Sequence, residues 1–76
     1  MFEEYLEEEI TKTIHEIMDE LKDAKSDFEN WKKTYEEMLK TAKEPTTKIL
    51  VQNTLMIIGK ALKVIKFVES RLREYV

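Results

Sequence analysis

The chain has 76 residues, of which 42% are apolar and 38% charged, and its net charge is −3. A chain this short forms one domain, residues 1–76, and its thin core needs an added support such as a disulfide, a metal or a partner subunit. A partner subunit remains, because the sequence has no cysteine and His15 is its only histidine, which excludes disulfides and a zinc site within one chain.

A heptad pattern predicts a first helix over about residues 2–43. Over residues 10–42 the apolar side chains recur at alternating steps of four and three, which is typical of a helix packed along a narrow stripe. We therefore expect the a and d positions of this heptad to be buried together against one neighbour. The a positions are Ile14, Leu21, Phe28, Tyr35 and Ala42, and the d positions are Ile10, Ile17, Ala24, Trp31 and Met38.

Pro45 predicts the break between two helices. Proline lacks the backbone N–H that a helix interior needs, and it forces the preceding residue out of helical geometry. We predict a turn over residues 44–46, with Thr46 or Thr47 capping the next helix through its hydroxyl. The second helix then extends over about residues 47–75.

The second predicted helix carries more apolar surface than one neighbour can cover. Its apolar residues occupy about half of the helix circumference, whereas contact between two helices buries only a narrow strip. These residues are Leu50, Val51, Leu55, Ile57, Ile58, Ala61, Leu62, Val64, Ile65, Val68, Leu72 and Tyr75. A helix of this kind is typical of a bundle with several neighbours.

The two predicted helices also differ in length. At about 1.5 Å per residue, the first helix is roughly 60 Å long and the second roughly 42 Å. In an antiparallel hairpin, residues up to about His15 therefore extend beyond the end of the second helix. We predict an all-α fold, an antiparallel helical hairpin that dimerises into a four-helix bundle.

A compact three-helix bundle is the alternative fold. Ser26 and Glu29 have the spacing of a capping box, which would start a separate helix near Ser26. Against this alternative, the heptad pattern continues from Ala24 to Phe28 without a phase shift, and no Gly or Pro marks a turn.

The predicted interface joins the start of the first helix to the broad face of the second. We expect a second copy, forming a homodimer, or a heterologous protein to cover these apolar residues. They are Phe2, Tyr5, Leu6, Ile10, Ile14, Leu50, Ile57, Val64 and Val68.

Charge is divided unequally between the two helices. Residues 1–44 hold 14 acidic and 7 basic side chains, whereas residues 45–76 hold 2 acidic and 6 basic ones. An acidic helix beside a basic helix favours antiparallel pairing of unlike helices.

The basic residues of the second helix suggest an alternative function, nucleic-acid binding. A row of cations is enough for contacts with phosphates, although the net negative charge of the chain opposes such binding. The candidate residues are Lys48, Lys60, Lys63, Lys66, Arg71 and Arg73.

The sequence lacks a recognisable catalytic or metal-binding arrangement. His15 and Glu16 resemble the start of a metalloprotease helix, but Asp19 stands where the second histidine is required. The acidic residues among positions 3–9 are explained by the helix dipole, which favours carboxylates near a helix N-terminus. We expect a protein that is not an enzyme and needs no cofactor or metal.

We expect a cytoplasmic protein that does not cross a membrane. Residues 2–9 are too acidic to begin a secretory signal. The most apolar stretch, residues 49–68, is interrupted by polar side chains, whereas a bilayer span needs about 20 apolar residues. The abundance of Lys, Glu and Ile resembles the composition of hyperthermophile proteins.

Overall fold

The computed structural model describes residues 2–75 and shows two long helices packed as an antiparallel hairpin. Helix α1 comprises Phe2–Thr41, helix α2 comprises Pro45–Leu72, and a short 3-10 helix, Arg73–Tyr75, continues α2. The hairpin is a rod of 64 × 15 × 14 Å. The predicted all-α antiparallel hairpin is confirmed.

Helix α1 is continuous through Ser26, so the alternative three-helix bundle is wrong. A helix start at Ser26 would break several backbone hydrogen bonds and replace them with one or two from side chains. It would also divide the heptad pattern that keeps both halves of α1 against α2. Ser26 is instead an exposed residue in the middle of the helix.

The connection between the helices comes two residues earlier than predicted. It covers residues 42–44, and Pro45 is the first residue of α2 rather than part of the turn. Glu44 is the N-cap residue in an extended conformation, with φ −82° and ψ 135°, so the predicted caps at Thr46 and Thr47 are wrong. The reason is that the fixed φ of proline suits the first helical position, where its missing N–H costs nothing.

The hairpin has a thin core. Of residues 2–75, those that are buried all belong to α2, namely Val51, Ile58, Leu62 and Ile65. Residues of α1 that face α2 are only half-buried, and the large apolar ones are Ile14, Met18, Leu21, Phe28, Tyr35 and Leu39. One helix covers α2 along a single strip, as the width of a two-helix contact requires.

The strip of α1 that faces α2 differs from the predicted one. The a positions face α2 as expected, but their partners are the e positions, including Met18, Lys25 and Leu39, and of the d positions only Ala24 is half-buried. On this strip the ammonium of Lys25 has an acidic partner, the carboxylate of Glu69 at 3.8 Å. The prediction that a and d are buried together is therefore wrong for the larger d residues.

Replacement of a buried residue should destabilise the hairpin far more than replacement of an exposed neighbour. Ile58 is 4% exposed and Met56 is 58% exposed. We expect Ile58→Ala to lower the free energy of unfolding by about 2 to 5 kcal/mol because it leaves a cavity in the core. Met56→Ala should change it by less than about 0.5 kcal/mol. Denaturant unfolding followed by circular dichroism measures both, and equal effects would contradict the assigned core.

Candidate protein interface

Exposed apolar side chains are the main feature of the surface of the hairpin. They fall into three groups according to their positions on the helices. The first group lies at the start of α1, the second follows one flank of both helices, and the third lies on the outer side of α2. The groups are Phe2, Tyr5, Leu6 and Ile10; then Ile17, Trp31, Met38, Leu50, Ile57 and Val64; then Ile49, Met56 and Phe67; Tyr75, in the 3-10 helix after α2, is also exposed but belongs to none of them.

The start of α1 extends beyond the end of α2. Every residue from 2 to 13 is exposed, and Ile14 is the first residue of α1 that is half-buried. We call residues 2–13 the overhang. The sequence predicted such an extension up to about His15 from the unequal lengths of the two predicted helices. In the structure α1 has 40 residues, whereas α2 and its 3-10 continuation have 28 and 3.

On α1, the second group lies on the d positions. Ile17, Trp31 and Met38 share one flank of the helix because they are separated by multiples of seven residues, which is nearly a whole number of turns. Their side chains are 39–51% exposed. The ring of Trp31 packs edge-on against Phe28, with 5.2 Å between the ring centroids, so it bridges the core strip and the exposed flank.

On α2, the second group forms a row next to the buried residues. Val51, Ile58 and Ile65 are buried, and Leu50, Ile57 and Val64 each come one residue earlier. The exposed fraction of these three side chains is 61–66%. Between this row and the core lie Thr54, Ala61 and Val68, which are half-buried.

The two exposed rows lie on the same face of the hairpin. In α1 the core strip consists of the a positions and of a second row four positions later, which includes Lys25. In α2 it consists of the row of Val51, Ile58 and Ile65 and of a second row four positions later, which includes Glu69. The contact between Lys25 and Glu69 shows that these second rows share one face of the hairpin. The exposed rows flank the core strip on its other side, so both lie on the opposite face. We call this surface of Ile17, Trp31, Met38, Leu50, Ile57 and Val64 the apolar face.

The predicted interface residues occupy two separate surfaces. Leu50, Ile57 and Val64 lie on the apolar face, with Val68 half-buried beside them. The others belong to the overhang or its edge: Phe2, Tyr5, Leu6, Ile10 and Ile14. Ile17, Trp31 and Met38 were not predicted as surface residues, because the heptad pattern placed them in the hairpin core. Met18 and Leu39, apolar residues one position after a d residue, were the signal that the strip lay elsewhere.

The predicted nucleic-acid residues do not form one row. All six cations are exposed, but their positions along α2 distribute them around the helix. Lys60 and Arg71 lie along the outer edge of the apolar face, whereas Lys63 and Lys66 lie toward the opposite face of the hairpin. The Arg71 guanidinium lies 3.9 Å from the Glu74 carboxylate and 5.3 Å from the centre of the Phe67 ring. Lys48 lies near the turn and Arg73 follows the end of α2.

Two shallow depressions lie on the surface of α1. Both are open, and each is lined by one face of α1 alone; His15 and Lys12 line one, Leu6 and Ile10 the other. Within residues 2–75, no three acidic, histidine or cysteine side chains are grouped so that they can hold a metal ion. Over the same residues, neither helix has a stretch long and apolar enough to cross a membrane.

Comparison of the chain with protein-family models, with curated proteins and with solved structures finds no match.

Trp31 should report directly on whether the apolar face becomes covered. It is the only tryptophan, and its side chain is half exposed in the single hairpin. We expect its fluorescence emission to shift to shorter wavelength, and acrylamide quenching to weaken, as protein concentration rises and a partner excludes water. A Trp31→Phe, Phe67→Trp variant is the matched control, because position 67 lies outside the apolar face. Equal quenching of Trp31 at every concentration would contradict an association surface there.

Proposed function

We propose that the protein is a small, non-enzymatic interaction protein that self-associates through its apolar face. Two hairpins packed face to face make a four-helix bundle, in which each helix gains a second neighbour. The observation that supports this proposal most strongly is the contrast between the core and the surface. The buried residues are confined to one row and its neighbours on α2, while the apolar face exposes a comparable set of large side chains.

The thinness of the core supports the proposal further. A chain of this size loses conformational entropy on folding that a single strip of buried side chains offsets only weakly. Burial of the apolar face would remove more apolar surface from water and add roughly 25 cal/mol for each Å² buried. Association through this face therefore contributes to the stability of each subunit as well as to assembly.

The overhang is the part of the proposed assembly that would present a contact to other proteins. Its apolar residues, including Phe2, Tyr5 and Leu6, are interleaved with glutamates at positions 3, 4, 7, 8 and 9. Such a helix end, exposed on all sides, fits a groove that is apolar at its base and basic at its rim. In this role the protein acts by binding, without a cofactor and without turnover.

Removal of apolar surface from the apolar face should produce a monomer. We expect sedimentation equilibrium to give twice the 9.1 kDa mass of the chain for the wild type at high concentration. Trp31→Lys with Met38→Lys should shift the protein to a monomer that is still helical, because charges at these positions cannot be buried without a partner.

The matched control for this experiment is Ile49→Lys with Met56→Lys. Both control residues are exposed to a similar extent but lie on the outer side of α2. This variant should dimerise like the wild type. A wild type that remains monomeric from micromolar to millimolar concentration would refute self-association.

Nucleic-acid binding is the alternative function, supported by the exposure of all six cations. Its weakness is the acidic helix α1 beside α2, which would repel a polyanion. The alternative expects binding to DNA or RNA that weakens steeply with salt and disappears in the variant Lys60→Glu, Lys63→Glu, Lys66→Glu. We expect no such binding from the wild type in a filter-binding or anisotropy titration.

A further inference from the structure

We infer that a second copy seats on the apolar face with α1 of each hairpin lying on α2 of the other. The two-fold axis then runs parallel to the helices. This inference rests on the proposed self-association and adds which helix meets which. It follows from three features of the hairpin: the level of each apolar row, the lengths of the helices, and the acidic side chains beside the apolar row of α1.

A symmetric dimer joined through one common face has two arrangements that keep the helices aligned. With the two-fold axis parallel to the helices, α1 lies on the partner's α2. With the axis perpendicular to the helices and in the plane of the interface, α1 lies on the partner's α1, and α2 on the partner's α2. We refer to these as the crossed and the matched arrangement.

The crossed arrangement brings the apolar rows together along their length. Rotation about an axis parallel to the helices does not move any residue along them, so the levels set within one hairpin also apply between hairpins. The level of a residue is its distance along the rod from the turn at residues 42–44. Because α1 runs toward this turn and α2 runs away from it, residues equally far from the turn in sequence lie at about the same level. Residues of the two rows therefore meet in pairs at about the same level: Met38 with the partner's Leu50, Trp31 with the partner's Ile57, and Ala24 with the partner's Val64.

The matched arrangement leaves part of the apolar face uncovered. It can overlap α1 fully with the partner's α1, which places Ile10 near the partner's Trp31 and Ile17 near the partner's Ala24. However, α2 and its 3-10 continuation occupy only the part of the rod next to the turn, so reversing one hairpin overlaps the two α2 helices only over their C-terminal halves. The early part of α2, which carries Leu50 and Ile57, would remain in water.

Charge favours the crossed arrangement independently. Exposed carboxylates line the outer edge of the α1 row in its middle, and we call them the acidic rim: Glu16, Glu20, Asp23 and Asp27. In the matched arrangement the two-fold axis passes near Glu20, so the rims of both subunits face each other and repel. In the crossed arrangement the rim lies beside the partner's α2, whose exposed cations on that edge are Lys60 and Arg71.

Two exposed isoleucines distinguish the two arrangements. In the crossed arrangement Ile57 packs on the partner's Trp31, whereas Ile10 lies in the overhang beyond the end of the partner's α2. Both side chains are well exposed in the hairpin, so lysine at either position should be tolerated by the fold. We expect Ile57→Lys to raise the dimer dissociation constant at least about thirtyfold and Ile10→Lys to change it by less than about threefold.

Engineered cysteines provide a second readout, since the natural chain has none. In the double variant Thr34→Cys, Asn53→Cys, both thiols lie on the outer edge of the crossed interface, and position 34 is at about the level of the partner's position 53. Oxidation should link this variant into covalent dimers, as seen on a non-reducing gel. The single variant Glu20→Cys should stay unlinked, because the two copies of position 20 lie diagonally across the bundle.

The outcomes separate the inference from the proposed function. A dimer that is weakened by Ile57→Lys, and that is linked by oxidation of the double variant at positions 34 and 53, supports the crossed arrangement. A dimer that is weakened by Ile10→Lys, and that is linked by oxidation of Glu20→Cys, would overturn that arrangement while leaving self-association in place. A wild type that is monomeric in sedimentation equilibrium would overturn both.

Discussion

The structure depends on one geometric constraint, that a single helix can cover only a strip of another. Helix α2 is apolar over about half of its circumference, and α1 buries only the row of Val51, Ile58 and Ile65 and its closest neighbours. The remaining apolar rows stay in water in the isolated hairpin. Because α1 has its own exposed row on the same side, the two helices together form one extended apolar face rather than scattered patches.

Two further features of the hairpin bear on assembly: the position of its interhelical ion pair and the greater length of α1. The ion pair of Lys25 and Glu69 occupies the face of the hairpin opposite the apolar one, so the two faces differ in character. The greater length of α1 leaves the overhang without a neighbour from its own chain. In an assembly through the apolar face, this ion pair would stay on the outer surface and the overhang would remain available for other contacts.

The sequence was sufficient to predict the two-helix architecture, but it did not show which heptad positions of α1 face α2. Pro45 and the uninterrupted heptad pattern predicted the two helices, since both are local signals. The choice between d and e positions was wrong because it depends on contacts between distant residues. Lys25 looks unsuitable for a core strip until Glu69 is brought beside it, and a pattern read within one helix cannot show that. The position of Glu44 as cap depended on whether Pro45 would end the turn or begin the helix.

Small-angle X-ray scattering tests the central claim most directly, because it reports the mass and the cross-section of a rod together. If a second hairpin covers the apolar face, the particle should have twice the 9.1 kDa mass and a thicker cross-section, while its length stays close to 64 Å. A particle with the mass and cross-section of one hairpin at every concentration would contradict the account. So would a dimer of about twice that length, because end-to-end contact would leave the apolar face in water.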